Sequence, residues 1–143
     1  CMSAAGFTAS STAEATAPYA VPLRPLNGDA AQAVLGKAAT RAAERLGQSR
    51  SWLAQVLGVS PATITRLYAG SYQLQPQRKE WEFALLFVRA FRSLDSIVGD
   101  EASARRWLAS PNLALGGVPA VLMTTTEGLV RVVHYLDASR AVV

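Results

Sequence analysis

The sequence predicts an all-α protein in which an N-terminal helix-turn-helix unit packs with a C-terminal helical domain. Apolar residues recur at i, i+3 and i+4 along most of the chain, and the period-two alternation of a half-buried strand is absent. Helix breakers fall where these apolar stripes end, at Gly58, Gly70, Gly99 and Pro111. Between Arg50 and Gly70, small, glycine, apolar and serine residues stand at the offsets at which two short helices cross. A chain of 143 residues suits one compact domain or two small ones.

Residues 1–29 are mostly Ala, Ser, Thr, Pro and Gly without hydrophobic periodicity, which predicts a flexible arm. Residues 30–46 follow as an Ala-rich helix with Val34, Leu35, Ala38, Ala42 and Leu46 on one face. The two motif helices come next. Leu53, Ala54 and Leu57 face inward on the first; Gly58 turns the chain because it adopts φ > 0 without strain, and Val59 fills the gap. Ser60 caps the second helix, and Pro61 suits its first position, where no N–H is needed. Ile64 and Leu67 point inward, which leaves Ala62, Thr63, Thr65 and Arg66 outward, where a helix-turn-helix enters the major groove. Arg66 is the one long donor suited to guanine, whereas Arg50 and Ser60 read as phosphate contacts. The plainer reading is a helical hairpin with no DNA at all.

A polar connector over 71–78 leads to a helix over 79–98. Trp81, Ala84, Leu85, Val88, Phe91 and Leu94 form one stripe, and Phe83, Leu86 and Phe87 carry it around the helix. A helix apolar on nearly all sides is either buried or shared with a second molecule, so Trp81, Phe83, Phe87 and Phe91 are dimerisation candidates. Glu101 to Ala109 forms a short helix, followed by a Gly-rich loop over 112–119 and a short apolar turn through Leu122 and Met123. Thr124, Thr125 and Thr126 offer a cap to a last helix carrying Leu129, Val132, Val133 and Leu136 up to about Ala138. The tail over 139–143 reads as short and free. The expected organisation is an arm (1–29), a DNA-binding unit (30–78) and a C-terminal domain (79–143).

Charge is unevenly placed. Residues 37–93 carry nine basic and three acidic side chains, while the segments on either side are each net −1, so the whole positive excess surrounds the motif. Neutralising DNA phosphates calls for that distribution; solvated helix faces are the bland account of it. Cys1 is the one cysteine, so neither an intrachain disulfide nor a cysteine-built metal site is expected, consistent with a reducing cytoplasm. No run of 18 uncharged apolar residues predicts a membrane span. His134, the one histidine, reads as a surface residue without a carboxylate to make it a base, and Gly116-Gly117 lacks the strand-before, helix-after setting of a phosphate loop. No catalytic residue, metal or cofactor is expected, and the protein is not expected to be an enzyme.

Gly99-Asp100, Ala104, Trp107-Leu108, Pro111-Asn112, Ala114-Leu115-Gly116-Gly117, Pro119, Leu122, Thr125 or Thr126, Gly128 and Val132-Val133 together resemble a known domain. They look like the C-terminal toxin-binding domain of the Xre/MbcA/ParS antitoxins, over roughly residues 80–143. An Xre-type helix-turn-helix ahead of it is that family's usual order. The resemblance implies an antitoxin that binds and blocks a RES-domain toxin, which depletes NAD, and that represses their shared promoter on double-stranded operator DNA. It makes Trp107, Asn112, Leu113, Leu115, Gly116 and Gly117 candidates for toxin binding. A separate expectation concerns the tail, where Arg140 and Val143 are candidates because a flexible end with a free carboxylate would reach the toxin's active-site mouth.

The residues have local readings too. Trp107 reads first as core, Asn112 as a turn cap, the glycine pair as a turn and Arg140 as a cation favoured by the helix dipole. Two alternatives keep the same fold: a stand-alone repressor whose C-terminal half only dimerises, and an adaptor whose motif no longer binds DNA.

Overall fold

The computed structural model describes residues 28–142, so Val143 and the expected arm before Gly28 lie outside the described residues. The described residues from Ala31 onward form one compact unit. The described residues hold seven helices: α1 (Gly28–Arg45), α2 (Arg50–Leu57), α3 (Pro61–Ala69), α4 (Lys79–Val98), α5 (Glu101–Ala109), α6 (Pro119–Leu122) and α7 (Thr126–Val142). They hold no strand; Asn112 and Gly117 make one isolated antiparallel bridge. The protein is all-α, as its periodicity predicts.

Local chemistry sets the helix ends. Ser49 accepts a hydrogen bond from the Trp52 N–H (3.1 Å) and opens α2, and Asp100 does the same for α5 through the Ser103 N–H (2.7 Å). Around α7 the Thr125 hydroxyl receives the Gly128 N–H (3.1 Å). At Gly128 the backbone runs so close to the end of α6 that a Cβ would lie 1.9 Å from the Leu122 carbonyl oxygen.

The 20-residue α4, about 30 Å long, is the spine. It packs most extensively on α7 and also touches α2 and α5. Ala84, Phe87, Ala90 and Leu94 on α4 and Leu129, Val132, Val133 and Leu136 on α7 are buried in one core cluster. Each large side chain among them contributes about 1.5–3 kcal/mol, against about 0–1 kcal/mol for an exposed ion pair, so this seam outweighs the exposed charge pairs among the described residues. One polar chain crosses it. The buried Ser93 hydroxyl donates to Asp137 (3.1 Å), Arg89 pairs with the same carboxylate, and Arg140 donates to Ser93 (3.4 Å).

The helix-turn-helix is joined to the C-terminal helices by long-range contacts. The Trp52 indole N–H on α2 donates to the Ala120 carbonyl on α6 (2.8 Å), and its ring meets Phe87 of α4 edge to face at 5.5 Å. The Arg105 Nε on α5 donates to the Arg45 carbonyl at the end of α1 (2.8 Å). Packing is therefore continuous across the expected boundary at 78/79.

Two details differ from the sequence-based expectation. The apolar turn is a helix, α6, because Pro119 starts it at a position needing no N–H and Met123 closes it onto the Pro119 carbonyl (2.9 Å). The tail is not free: α7 runs on to Val142, with no breaker after Ala138 and Arg140 in its last turn, where the dipole favours a cation.

Candidate nucleic-acid interface and partner-binding surface

The turn between α2 and α3 has the geometry its residues demand. Gly58 sits at φ 73°, and the Val59 N–H reaches back to the Ala54 carbonyl (3.0 Å). Ser60 caps α3 by accepting from the Thr63 N–H (3.1 Å) and donates to the Thr63 hydroxyl (2.9 Å), so its own hydroxyl is occupied locally. Ile64 and Leu67 are buried, as their spacing requires. Ala62, Thr65 and Arg66 are exposed and Thr63 is half-buried. The Thr65 hydroxyl donates to the Pro61 carbonyl (3.0 Å), which leaves its methyl group as the outward-facing part. Together with Ala62 this is a small apolar surface beside one long cation, Arg66.

Arg50, at the start of α2, lies over the Tyr68 ring at 4.4 Å, so its guanidinium is held on the surface next to the motif. The Tyr68 hydroxyl is buried without a hydrogen-bond partner. Burial and the nearby Glu44 carboxylate push its pKa up, and Arg50 opposes them. The connector after α3 is fastened rather than loose. Leu74 is buried, and Glu80, at 7% exposure, accepts from the Tyr72 hydroxyl (2.5 Å) and the Gln75 N–H (3.0 Å). Burial first, and then the bond to Glu80, raise the Tyr72 pKa.

The Gly-rich loop is a tight, braced turn. Asn112 N–H donates to the Gly117 carbonyl (2.9 Å), Gly116 N–H returns to the Asn112 carbonyl (2.9 Å), and the Asn112 side chain accepts from the Leu115 N–H (3.1 Å). Gly116 lies at φ 79°, open to glycine at no cost. Leu115 is buried, and its carbonyl receives Arg131 (3.1 Å). Leu113 projects from this frame fully exposed, and Val121 on α6 is 66% exposed. Of the toxin-binding candidates, Leu113 is the apolar group offered to solvent. Leu115 belongs to the core, Asn112 and the glycines shape the turn, and Trp107 is half-buried and stacked on Tyr135 at 6.2 Å. Arg140 is exposed on α7 and tethered to Ser93, while Val143 lies outside the described residues.

The aromatic residues of α4 are used largely within the chain. Phe87 is fully buried against Trp52, Phe83 packs over Gly58 (a Cβ there would meet its ring at 3.4 Å), and Phe91 and Trp81 are half-buried on the core. The apolar circumference of α4 thus reflects three neighbouring helices; Leu85, half exposed, is the large apolar residue it most exposes to solvent. Sequence reasoning missed Glu80 and Tyr72, which carry no motif signal, and Trp52, whose partner lies 68 residues away. Among the described residues no group of three His, Cys, Asp or Glu side chains is placed to hold a metal, and no helix is long and apolar enough to cross a membrane.

A helix-turn-helix joined to a C-terminal helical domain with a braced, apolar-tipped loop defines a two-part binding protein, and comparison with known proteins gives its class. Residues 25–89 match the antitoxin Xre-like helix-turn-helix domain, and residues 93–141 match the antitoxin Xre/MbcA/ParS C-terminal toxin-binding domain. A chain in the crystal structure of the M. tuberculosis MbcT–MbcA toxin–antitoxin complex is 29% identical, with a TM-score of 0.57, over 77% of this chain and 96% of that one. No curated protein matches the chain. The protein belongs to the Xre/MbcA/ParS antitoxins.

Proposed function

We propose that this antitoxin binds and blocks a NAD-depleting RES-domain toxin in the bacterial cytoplasm, and that as a homodimer it represses their shared promoter through α3. The match of residues 93–141 to a toxin-binding domain carries the reading. Leu113 at the tip of the braced loop is the main apolar contact, Val121 widens it, and Arg140 in the last turn of α7 forms a second contact. A rigid frame behind an exposed apolar knob supports this choice, because little ordering entropy is lost on docking. On DNA, Arg66 reads a guanine, while Ala62 and the Thr65 methyl group suit thymine methyls. Arg50 contacts phosphate, and Trp81 with the neighbouring Leu85 supplies the apolar strip of the dimer. The chain acts by binding and is not itself an enzyme.

The test is co-expression with the protein encoded beside it, following growth, cellular NAD and co-purification. The neighbour alone should drain NAD, and this chain should restore it and co-purify. A harmless neighbour that does not co-purify would leave a stand-alone repressor.

A further inference from the structure

Beside the recognition helix lies a second guanidinium that no sequence pattern singles out. Arg78, the last residue of the connector, lines one groove with Arg66, Ser60, Thr63, Tyr72 and Glu80. Its backbone is fixed: the Arg78 N–H donates to the Gln75 carbonyl (2.9 Å), and the Gln75 N–H is itself held by Glu80 (3.0 Å). Its one ion pair among the described residues is long. The nearest carboxylate oxygen, Glu80 Oε1, is 4.0 Å away, at the outer limit of an ion pair, while Oε2 of the same carboxylate accepts from Tyr72 and Gln75. The Arg78 side chain is 67% exposed. Arg66 and Arg78 both act electrostatically on the Tyr72 hydroxyl, which places two cations around one rim.

We propose that Arg78 is a backbone-phosphate contact flanking the recognition helix, so that the groove seats one DNA phosphate while Arg66 reaches a base edge. A fixed backbone, an exposed guanidinium and a counter-carboxylate no closer than the limit of an ion pair suit an anion arriving from outside, and a guanidinium binds phosphate oxygens in bidentate fashion. Arg78 lies beside α3 and not on it, which places it against the backbone and not in the groove of the duplex. The assignment rests on the DNA-binding half of the function proposed above.

The test uses the full chain, a duplex from the region upstream of its own gene and a scrambled duplex of equal length, with affinity measured across salt concentrations. Arg78→Ala should weaken both duplexes by the same factor and reduce the slope of log K against log salt by about 0.9, the value for one lost phosphate contact. Arg78→Lys should keep the slope, and both variants should melt with the parent. Arg92→Ala removes an equal charge from another groove, lined by Leu85 and Arg140, and should leave the slope unchanged. An unchanged slope in Arg78→Ala, or an equal loss in Arg92→Ala, overturns the assignment while DNA binding stands. If the parent binds neither duplex, the DNA-binding reading fails and Arg78 falls with it.

Discussion

At single residues, the loop separates into groups that shape it and a group that faces solvent. Leu113 and Leu115 are two positions apart in the same loop, yet one is fully exposed and the other buried. The loop has no period from which a sequence could decide between them; the Asn112 turn and the Arg131 bond to the Leu115 carbonyl decide it. Leu113→Asp should leave the melting temperature unchanged and weaken toxin binding about tenfold or more, measured by calorimetry on the purified pair. Arg66→Ala should cost about 1–3 kcal/mol on the operator at one base pair and nothing on the toxin; equal losses on every operator variant would contradict base reading. Gly128 tolerates no Cβ, because the Leu122 carbonyl would have to move. Gly128→Ala should therefore cost about 1–3 kcal/mol or more, seen as a lower denaturant midpoint.

Tyr72 and Tyr68 are both pushed up, so the folded state prefers their neutral forms. Their contribution is complete below about pH 10, the unfolded value, and is lost as pH rises through the higher folded values. Denaturation followed from pH 8 to 11.5 should show a fall at the alkaline end that Tyr72→Phe makes shallower.

At the level of elements, the helix-turn-helix was legible because its signals are local: Gly58, Ser60, Pro61, Ile64 and Leu67 each specify their own turn, cap or face. What links it to the rest was not, since a hydrogen bond from Trp52 to Ala120 leaves no trace in spacing. Trp52→Phe keeps a ring beside Phe87 and removes that donor, which should cost about 1–3 kcal/mol in chemical denaturation. The aromatic residues of α4 show the converse limit. Their pattern reported burial without naming the neighbour, and α2, α5 and α7 supply much of it. The last residues of α7 are too few to show a period of their own, yet the helix continues and Arg140 reaches Ser93. Removing residues 139–143 should lower stability only slightly; unchanged neutralisation of the toxin by this truncated chain would rule out a plug at the active-site mouth.

For the whole molecule, the charge distribution separates the two halves of the proposed function. The positive excess lies over residues 37–93, around the helix-turn-helix, while residues from 94 onward are net −1 and bear the loop with Leu113. Operator binding should therefore weaken steeply with salt, and toxin binding through an apolar tip should hardly change. Because Trp52 and Arg105 tie the two halves together, each half is best measured in the intact chain. On the function proposed above, this antitoxin silences an NAD-consuming partner by binding it. The most direct measurement is NAD consumption by the purified neighbouring protein, titrated with this chain. Consumption should fall linearly and stop at a fixed molar ratio, with Leu113→Asp shifting the titration far to the right. Consumption that continues undiminished in the presence of excess chain would contradict the claim.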